Sequence, residues 1–526
     1  MQGGKILKTM GIRRAAAFQT LTAAAARKQH PCNRLQIYYR STRPKVWEGA
    51  GHELYISTAG VRMTRGDLNL IRIASTVALG GFLVGFDATV ISGAVPFIRD
   101  YFDLGGTAGS LKLGWAVSCL GWGAMAGNLA AGPLSDRFGR RSVLLMTAVL
   151  FLASSLTAAL STRFPVFVAA RICGGLAVGA AILTAPVYIA EIAPARSRGS
   201  LVSLNQLMIV IGISVSFFSN YFLLSLGANS WRWMLGVQAV PATLYFVLLT
   251  LVPESPRWLL GKGREAGARA ALAAVHGLAA AARELAVIQE TLAVKSRHFG
   301  IRELFTGRLK RVMIFGLGIA FFQQATGINA IFYYLPTIFA QSGGELSTSF
   351  AQSVLVGLVN VGMTFVAIWL IDRLGRKPLL VIGLVGATVS LLTISWAFHA
   401  AQAPLGATSP VSHATVVLIA IITYVASFAI SLGPVMWVML SEIFPNEERA
   451  AAISVVGFWN SLVSASVTLI FPTELAAWGP AGTFLGYGLL AAAGLLFVVM
   501  LAPETKGKTL EELEGILTRP KPALGS

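Results

Sequence analysis

Long apolar runs separated by short polar stretches dominate the chain. A helix needs about 18 residues or more to cross the roughly 30 Å hydrocarbon core of a bilayer. Charge-free runs of that length occur at 143–160, 199–227, 233–252, 312–340, 379–398, 415–440 and 481–502. Runs with a single charge at 73–98 and 164–190, and further apolar stretches at 113–135, 355–371 and 450–473, complete the set. Because lipid offers the backbone no hydrogen-bond partners, the pattern predicts an all-α membrane protein with twelve transmembrane helices.

The composition agrees with this prediction. Of the 526 residues, 55 % are hydrophobic and only 12 % are charged, about half the charged fraction of soluble domains. The three cysteines, Cys32, Cys119 and Cys173, lie far apart and indicate neither a disulfide framework nor a metal site. We therefore expect no cofactor and no metal.

The net charge of +19 is distributed over alternate loops. Lys and Arg are frequent after the second and fourth predicted helices and in the long central loop, whereas the loops at 341–350, 400–413 and 474–479 have none. The positive-inside rule then predicts a protein of the cell (inner or plasma) membrane with both termini cytoplasmic. The alternative is a general basic patch for a partner, but the alternation argues against nucleic acid.

Residues 1–66 form an N-terminal extension of a different composition. Residues 1–62 carry 11 Lys and Arg against only Glu48 and Glu53. This acid-poor, alanine-rich stretch is either a targeting peptide or a segment upstream of a true start at Met63. In both cases we expect it to be largely disordered.

Three charged motifs occur twice in the same order, about 240–250 residues apart. The copies are 132–141 with 371–377, 191–198 with 442–449, and 253–255 with 503–505. The repeat predicts two pseudo-symmetric six-helix bundles with a solute site between them. The matched charges predict a gate in which carboxylates and arginines of opposite halves pair; the alternative is a set of solvated charges worth about 0–1 kcal/mol each. The predicted gate residues are Asp136, Arg140, Glu191, Arg198, Glu254, Arg373, Glu442 and Arg449.

The repeat and the charge distribution also predict the domain organisation. We expect bundles at 67–253 and 311–503, a cytoplasmic linker at 254–310 and a cytoplasmic tail at 504–526. Arg and Glu alternate with Ala, Leu and Val at helical spacing in the linker, which predicts short amphipathic helices. The linker has no Gly-rich phosphate loop, nucleophile elbow or metal-ligand spacing. Neither an enzyme nor an ATP-driven pump is expected.

Seven further motifs follow one another on the expected helices, at 85–93, 171–175, 186–191, 253–259, 323–329, 433–437 and 503–507. With these motifs the chain resembles the sugar porter family of the major facilitator superfamily, over about residues 68–514. The resemblance implies the fold of that superfamily, in which two six-helix bundles alternate in opening a central site to the two sides.

Two charges stand alone inside predicted helices, Asp87 in the first and Arg171 in the fourth. A charge at such depth costs at least about 2.5–3.5 kcal/mol, so a functional role is the default. An Asp–Arg pair that exchanges its partner for a proton could couple transport to protons; the alternative is a static salt bridge. The resemblance favours coupling, because proton symporters of the family carry Asp at this position and uniporters usually carry Asn.

The seventh helix carries neutral amides at helical spacing, namely Gln323, Gln324 and Asn329, followed by Tyr333. Side-chain amides offer both a donor and an acceptor to vicinal hydroxyls, and no charged residue accompanies them. This favours an uncharged polyhydroxylated solute, whereas the alternative is hydrogen bonding between helices, worth about 0.6 kcal/mol per pair.

The resemblance adds further residues to the predicted site. It implies that Gln206, Asn360 and Trp437 join the substrate pocket, and that Tyr333 and Tyr334 belong to a gate. Three positions depart from the family pattern. Val84 stands where relatives usually have an aromatic residue, and Ile213 where some have Gln. Phe458 stands where they usually have an amide residue, and Asn460 could partly replace that missing amide.

The sequence therefore predicts a monomeric, proton-coupled symporter of a neutral sugar, a hexose or pentose. The alternatives are a polyol or inositol symporter, a facilitative sugar uniporter and a sugar sensor that does not transport. Asp87 and Arg171 lie in the first half, whereas most of the predicted solute ligands lie in the second. We expect one half to handle the proton and the other to bind most of the solute.

Overall fold

The computed structural model describes residues 57–58, 61–62, 65–194, 197–293, 301–306, 309–401, 413–445 and 448–506. Most of the predicted N-terminal extension and the tail from residue 507 onward lie outside these ranges. Ser57–Thr58 and Val61–Arg62 form a short antiparallel pair of strands, β1 and β2, and every longer element described is a helix.

The first half consists of seven helices joined by short turns. They are α1 (Arg65–Tyr101), α2 (Gly106–Phe138), α3 (Arg140–Leu160), α4 (Phe164–Ile192), α5 (Arg198–Leu223), α6 (Ser230–Gly236) and α7 (Ala239–Thr250). Short linker helices follow, α8 (Pro256–Gly261), α9 (Glu265–His276), α10 (Leu278–Ala293) and α11 (Ile301–Leu304). The second half comprises α12 (Leu309–Ala325), α13 (Ile328–Gln341), α14 (Leu346–Leu374), α15 (Arg376–Ala400), α16 (His413–Ile430), α17 (Leu432–Ile443) and α18 (Arg449–Leu501).

Nine helical stretches of the described residues are long and apolar enough to cross a membrane. Two of them, 198–250 and 451–501, have 53 and 51 residues and each holds two spans, because the backbone leaves helical geometry at Gly227 and Gly479. The 33-residue α2 is long enough to be a further span and packs lengthwise against α4 and α18. Counted in this way the helices give twelve segments, which we number as spans 1 to 12; the predicted number of membrane crossings stays a prediction. In chain order they are α1 to α5, α6 with α7, α12 with α13, α14, α15, α16 with α17, and the two parts of α18 on either side of Gly479.

The twelve spans pack first within each half and then across the two halves. Span 2 packs along span 4 and span 1 along span 5, while α15 packs on α16 and α18 in the second half. The repeated motifs all lie at the ends of even-numbered spans, and we call this end of the bundle the motif face and the other end the opposite face.

The two halves meet toward the opposite face. Gly114 of span 2 packs against the backbone of Leu469 of span 11, and Gly121 packs against Ala465. One turn nearer the opposite face, the hydroxyls of Ser110 and Thr473 lie 3.4 Å apart. Spans 5 and 8 also pack together, as do span 1 and α13.

The predicted linker helices are present at the motif face of the first half. The Asn69 side-chain amide donates to the Ala274 carbonyl of α9 at 3.3 Å, and His276 Nε2 lies 2.9 Å from the Ile192 carbonyl at the end of span 4. Four residues bury the apolar faces of α9 and α10 against each other, namely Ala268, Leu272, Ala281 and Leu285. This amphipathic pairing confirms the helical character predicted for the linker.

Candidate functional site: a buried ion pair and an amide cluster

The two lone membrane charges form one ion pair. Arg171 Nη1 lies 2.5 Å from Asp87 Oδ1, and Arg171 Nη2 donates to the Asp87 carbonyl oxygen at 3.1 Å. Asp87 is 0 % and Arg171 1 % exposed, so the pair joins spans 1 and 4 away from water. The predicted Asp–Arg pairing is thereby confirmed.

The ion pair leaves part of its hydrogen-bonding capacity unused. Neither Asp87 Oδ2 nor Arg171 Nε has a hydrogen-bond partner among the described residues. Oδ2 points at Gly174 of span 4, where the Cβ of a larger residue would lie only 2.8 Å from it. This carboxylate oxygen is therefore buried against a glycine, with no hydrogen-bond donor among the described residues.

The second half approaches this pair through α13. Tyr333 lies within electrostatic range of both Asp87 and Arg171. Span 1 packs against α13, the helix that carries Asn329 of the predicted sugar-binding residues.

The predicted amides form a connected cluster. Asn329 Nδ2 donates to Gln324 Oε1 at 2.9 Å and to the Ser464 hydroxyl at 2.7 Å. Gln324 Nε2 donates to Gln323 Oε1 at 3.1 Å and to Asn460 Oδ1 at 3.2 Å. The cluster contains no charged group, and vicinal hydroxyls of a solute can replace its internal hydrogen bonds one for one.

Asn460 is a full member of this cluster. Its Nδ2 donates to Gln323 Oε1 at 2.7 Å and to the Ala320 carbonyl at 3.1 Å. Span 11 thus contributes an amide two residues after Phe458, as the sequence suggested. Ser464, one turn further along the same face, was not predicted, because a serine in an apolar helix is too common to single out.

A break in span 7 lies in the middle of the amide cluster. The helix stops at Ala325 and restarts at Ile328, and Gly327 between them has φ 85°, a left-handed conformation that favours glycine. The Tyr424 hydroxyl of span 10 donates to the Thr326 carbonyl at 2.9 Å, which satisfies one backbone group that the break frees. Gln324 and Asn329 therefore approach each other from two separate helical segments.

The residues assigned by resemblance occupy varied positions. Trp437 is 41 % exposed and its ring lies beside Gly457 of span 11, one turn from Asn460. Asn360 is buried in span 8, whereas Gln206 is exposed on span 5. Within the described residues, the side chains of Asn360 and Gln206 make no hydrogen bond to the amide cluster.

The two tyrosines predicted for a gate differ in their surroundings. Tyr334 is 1 % exposed, and its ring centroid lies 5.1 Å from that of Phe471 on span 11. Tyr333, on the neighbouring side of α13, is only partly buried. Tyr334 thus packs inside the second half, while Tyr333 interacts electrostatically with the ion pair of the first.

The charged motifs form one network in each half. In the first, Arg140 pairs with Glu191 at 3.1 Å and with Asp136 at 3.2 Å, while Glu254 Oε1 accepts the backbone N–H of Arg141 at 3.0 Å. In the second, Arg376 pairs with Glu442 at 2.8 Å, and Glu504 accepts the backbone N–H groups of Arg376 at 3.2 Å and Lys377 at 3.1 Å. Ser255 and Thr505 add matching hydroxyl contacts to Glu191 and Glu442.

The predicted gate pairs carboxylates and arginines of opposite halves when this face is closed, and that pairing stays a prediction. The ion pairs of Arg140 with Asp136 and Glu191, and of Arg376 with Glu442, each join helices of a single half. The reason is that span 2 lies beside span 4, and span 8 beside span 10, so their ends bring the first two motifs of each copy together. The two halves contact each other near the opposite face, and the charged motifs do not lie there.

Three predicted gate residues lie outside these networks. The Arg373 guanidinium stacks on the Trp369 ring at 3.9 Å, and Arg449 donates to the Phe444 carbonyl at 3.2 Å. Arg198 is exposed, and no carboxylate partner of these three arginines occurs in the described part of the chain. Arg376, rather than Arg373, is the counterpart of Arg140, since it pairs with Glu442 as Arg140 pairs with Glu191. Arg376 follows Gly375 as Arg140 follows Gly139, so an alignment of the two repeats on these glycines would have identified it.

The surroundings of Glu504 keep its carboxylate charged. Burial alone would raise its pKa, but hydrogen bonds from four backbone N–H groups outweigh burial and lower the pKa of Glu504 below its ordinary value. The N–H donors at Arg376 and Lys377 are the first of α15, so Glu504 also caps that helix.

Comparisons with known proteins agree with this architecture. A family model described as sugar (and other) transporter matches residues 73–517. The D-xylose-proton symporter of Escherichia coli (strain K12) is 37 % identical over 481 residues, covering 85 % of this chain and 95 % of the relative. The glucose transporter GlcP of Staphylococcus epidermidis is 37 % identical over 440 residues, covering 83 % and 95 %.

Solved structures give the same result. A partially occluded, inward-open conformation of the xylose transporter XylE from E. coli superposes with a TM-score of 0.73 at 34 % identity, covering 84 % of this chain and 100 % of the other. Family model, relatives and fold all confirm the resemblance predicted from the motifs. The chain is a multi-pass membrane transporter and belongs to the sugar transporter family of the major facilitator superfamily.

Proposed function

We propose that this chain is a proton-coupled symporter of a neutral sugar, a hexose or pentose, which works by alternating access. The observation that carries the proposal is the pairing of a fully buried Asp87–Arg171 ion pair with an uncharged amide cluster in one bundle. Relatives named D-xylose-proton symporter and arabinose-proton symporter support it. One chain contains both sites, so a monomer in the cell membrane suffices.

In the proposed mechanism a proton is taken up by Asp87. Neutralising Asp87 leaves Arg171 as an uncompensated buried cation, which is unfavourable, so spans 1 and 4 must rearrange until the guanidinium finds water or another acceptor. Span 1 lies against α13, and this movement is passed to that helix, which carries both Asn329 and Tyr333. Release of the proton restores the Asp87–Arg171 ion pair and returns spans 1 and 4 to their original arrangement.

The sugar is proposed to bind between the halves, against Gln323, Gln324, Asn329 and Asn460. Each amide exchanges an internal hydrogen bond for one to a sugar hydroxyl, so binding costs little enthalpy and selects neutral solutes. Trp437 is exposed beside this cluster and offers an aromatic face to the apolar side of a sugar ring.

We propose that the motif face is cytoplasmic and that the present conformation is open toward it. The basic loops support this orientation through the positive-inside rule. The contacts of Gly114, Gly121 and Ser110 with span 11 close the opposite face, while the motif-face ion pairs stay within each half. The inward-open relative that superposes on the chain supports the same assignment.

Uptake into vesicles tests the proposal. Purified protein in proteoliposomes is given radiolabelled D-xylose or D-glucose under an imposed membrane potential, with and without a protonophore. Symport predicts accumulation above the external concentration that the protonophore abolishes. Accumulation that persists with the protonophore, or uptake that never exceeds equilibration, would refute proton coupling and leave facilitated diffusion.

A further inference from the structure

A second carboxylate lies in the membrane bundle, at the opposite-face end of span 11. Glu474 Oε2 accepts a hydrogen bond of 2.7 Å from the Tyr487 hydroxyl of span 12. Glu474 is partly buried, and it directly follows Thr473, whose hydroxyl contacts Ser110 of the first half. This carboxylate therefore lies beside the place where the two halves close on each other.

Tyr487 connects Glu474 with the break in span 7, because its hydroxyl binds Glu474 and its ring lies against Gly327. The ring is 4 % exposed, and a Cβ placed on Gly327 would lie 3.3 Å from Tyr487 Cδ2, so the ring covers the left-handed glycine directly. On its other side the ring stacks on Phe471, with centroids 6.1 Å apart and planes inclined by 21°. The hydroxyl end of the ring is held by its hydrogen bond to Glu474.

The break at Gly327 determines the geometry of the amide cluster. Gln324 lies three residues before Gly327 and Asn329 two residues after it, and their 2.9 Å hydrogen bond spans the break. Tyr424 holds the residue before Gly327 through the Thr326 carbonyl, and Tyr487 packs on Gly327 itself. The two tyrosines form a clamp that sets the angle between α12 and α13.

We propose that Glu474 is a positioning residue for the sugar site: by holding Tyr487 against Gly327, it fixes the relative placement of Gln324 and Asn329. The proposal rests on the proposed function only in naming sugar as the ligand. When the opposite face opens and Thr473 leaves Ser110, Glu474 is reached by water and its hold on Tyr487 weakens. The amide cluster is then tightly ordered only while that face is closed.

Equilibrium binding of D-xylose and D-glucose to the purified full chain tests the affinity effect. Glu474→Ala and Tyr487→Phe each remove the hydroxyl–carboxylate bond, and we expect each to raise Kd about tenfold. The double variant should be no worse than either single one, because both remove the same contact. Glu474→Gln keeps an oxygen acceptor and should restore most of the affinity. Turnover at saturating sugar should change far less than KM.

Backbone hydrogen exchange over residues 326–329, measured without sugar, tests the clamp independently of the ligand. We expect faster exchange in Glu474→Ala and Tyr487→Phe, and no change in the control Glu345→Ala, which removes an exposed carboxylate on the same face. Unchanged exchange in Tyr487→Phe, or additive effects in the double variant, would overturn the proposal. If the wild-type chain binds neither sugar, the proposed function fails, and the exchange data still decide for or against the clamp. If Glu474→Ala does not fold, Tyr487→Phe gives the same decision, and Glu474→Gln remains the comparison that keeps the acceptor.

Discussion

Replacing Asp87 by Asn should separate proton coupling from sugar exchange. The substitution keeps an oxygen facing Arg171 but removes the charge that a proton would cancel. Asp87 is the fully buried carboxylate of the described residues, so we expect one proton per sugar. One charge crossing 100 mV supplies about 2.3 kcal/mol, which corresponds to a concentration ratio of about 50 for a neutral solute. We predict accumulation of that order for the wild-type chain and none for Asp87→Asn.

The assay compares two measurements on the same proteoliposomes. Accumulation is driven by a potassium diffusion potential of about 100 mV, whereas counterflow exchanges labelled for unlabelled sugar without net proton movement. Asp87→Asn should lose the first and keep the second. Asp100→Asn provides the matched control, because it removes an exposed carboxylate near the end of the same helix and should leave both intact.

Two results would refute this reasoning. Protonophore-sensitive accumulation by Asp87→Asn would place the coupled proton on another group. Loss of counterflow together with accumulation would indicate that the pair only holds spans 1 and 4 together. Asp87→Ala helps to separate the cases, because it leaves Arg171 buried without an acceptor, and removing one partner of a buried pair costs about 3–5 kcal/mol. We therefore expect a much lower melting temperature for Asp87→Ala than for Asp87→Asn.

Further predictions concern the amide cluster, the motif face and Phe458 of span 11. Asn329→Ala removes the hydrogen bond that joins both sides of the span 7 break, and should raise the sugar Kd about tenfold in equilibrium binding. Glu442→Gln weakens the pair with Arg376, far from the sugar, and should slow counterflow several-fold at unchanged Kd. Phe458→Asn adds a donor and an acceptor at a 39 % exposed position on the helical face of Ala465, and should favour hexoses over 6-deoxyhexoses about tenfold in competition binding.

Each of these predictions has a contradicting result. An unchanged Kd in Asn329→Ala would remove the amide cluster from the sugar site. A changed Kd in Glu442→Gln would mean that the motif face and the sugar site are not separate. An unaltered order of sugar affinities in Phe458→Asn would place that side chain outside the sugar site. Glu345→Ala again serves as the control for a harmless loss of charge.

The buried ion pair could be predicted because a charge in an apolar helix has few ways to be stabilised. Asp87 and Arg171 are the lone charges of their runs, so each needs the other. The amides of span 7 were predictable on similar grounds, since their helical spacing places them on related faces and Gly327 marks the break. The ion pair could be predicted because an unpaired charge in lipid is too costly, and the amides because they are neighbours on one helix.

The motif-face pairing could not be predicted from the repeat. The copies identify which residues are equivalent, but only tertiary packing decides which helix ends are neighbours. The side-by-side packing of spans 2 and 4 brings Arg140 to Glu191 within one half, a contact that the matched charges alone did not indicate.

The contact of Glu474 with Tyr487 escaped prediction for a related reason. Glu474 lies near a span end, where a carboxylate is ordinary, and its partner follows 13 residues later beyond the break at Gly479. The picture of a charge-handling first half and a neutral second half is therefore incomplete. The second half has a carboxylate of its own, held by a tyrosine that covers the break in the sugar-binding helix.

The central claim is that sugar entry and proton entry are one event, and simultaneous recording of both fluxes tests it most directly. Proteoliposomes loaded with a pH-sensitive dye receive D-xylose or D-glucose with no imposed gradient of protons or charge. Symport predicts that sugar addition acidifies the interior at once, with about one proton entering per sugar, and that Asp87→Asn takes up sugar without acidification. Sugar uptake by the wild-type chain with no change in internal pH would contradict the account.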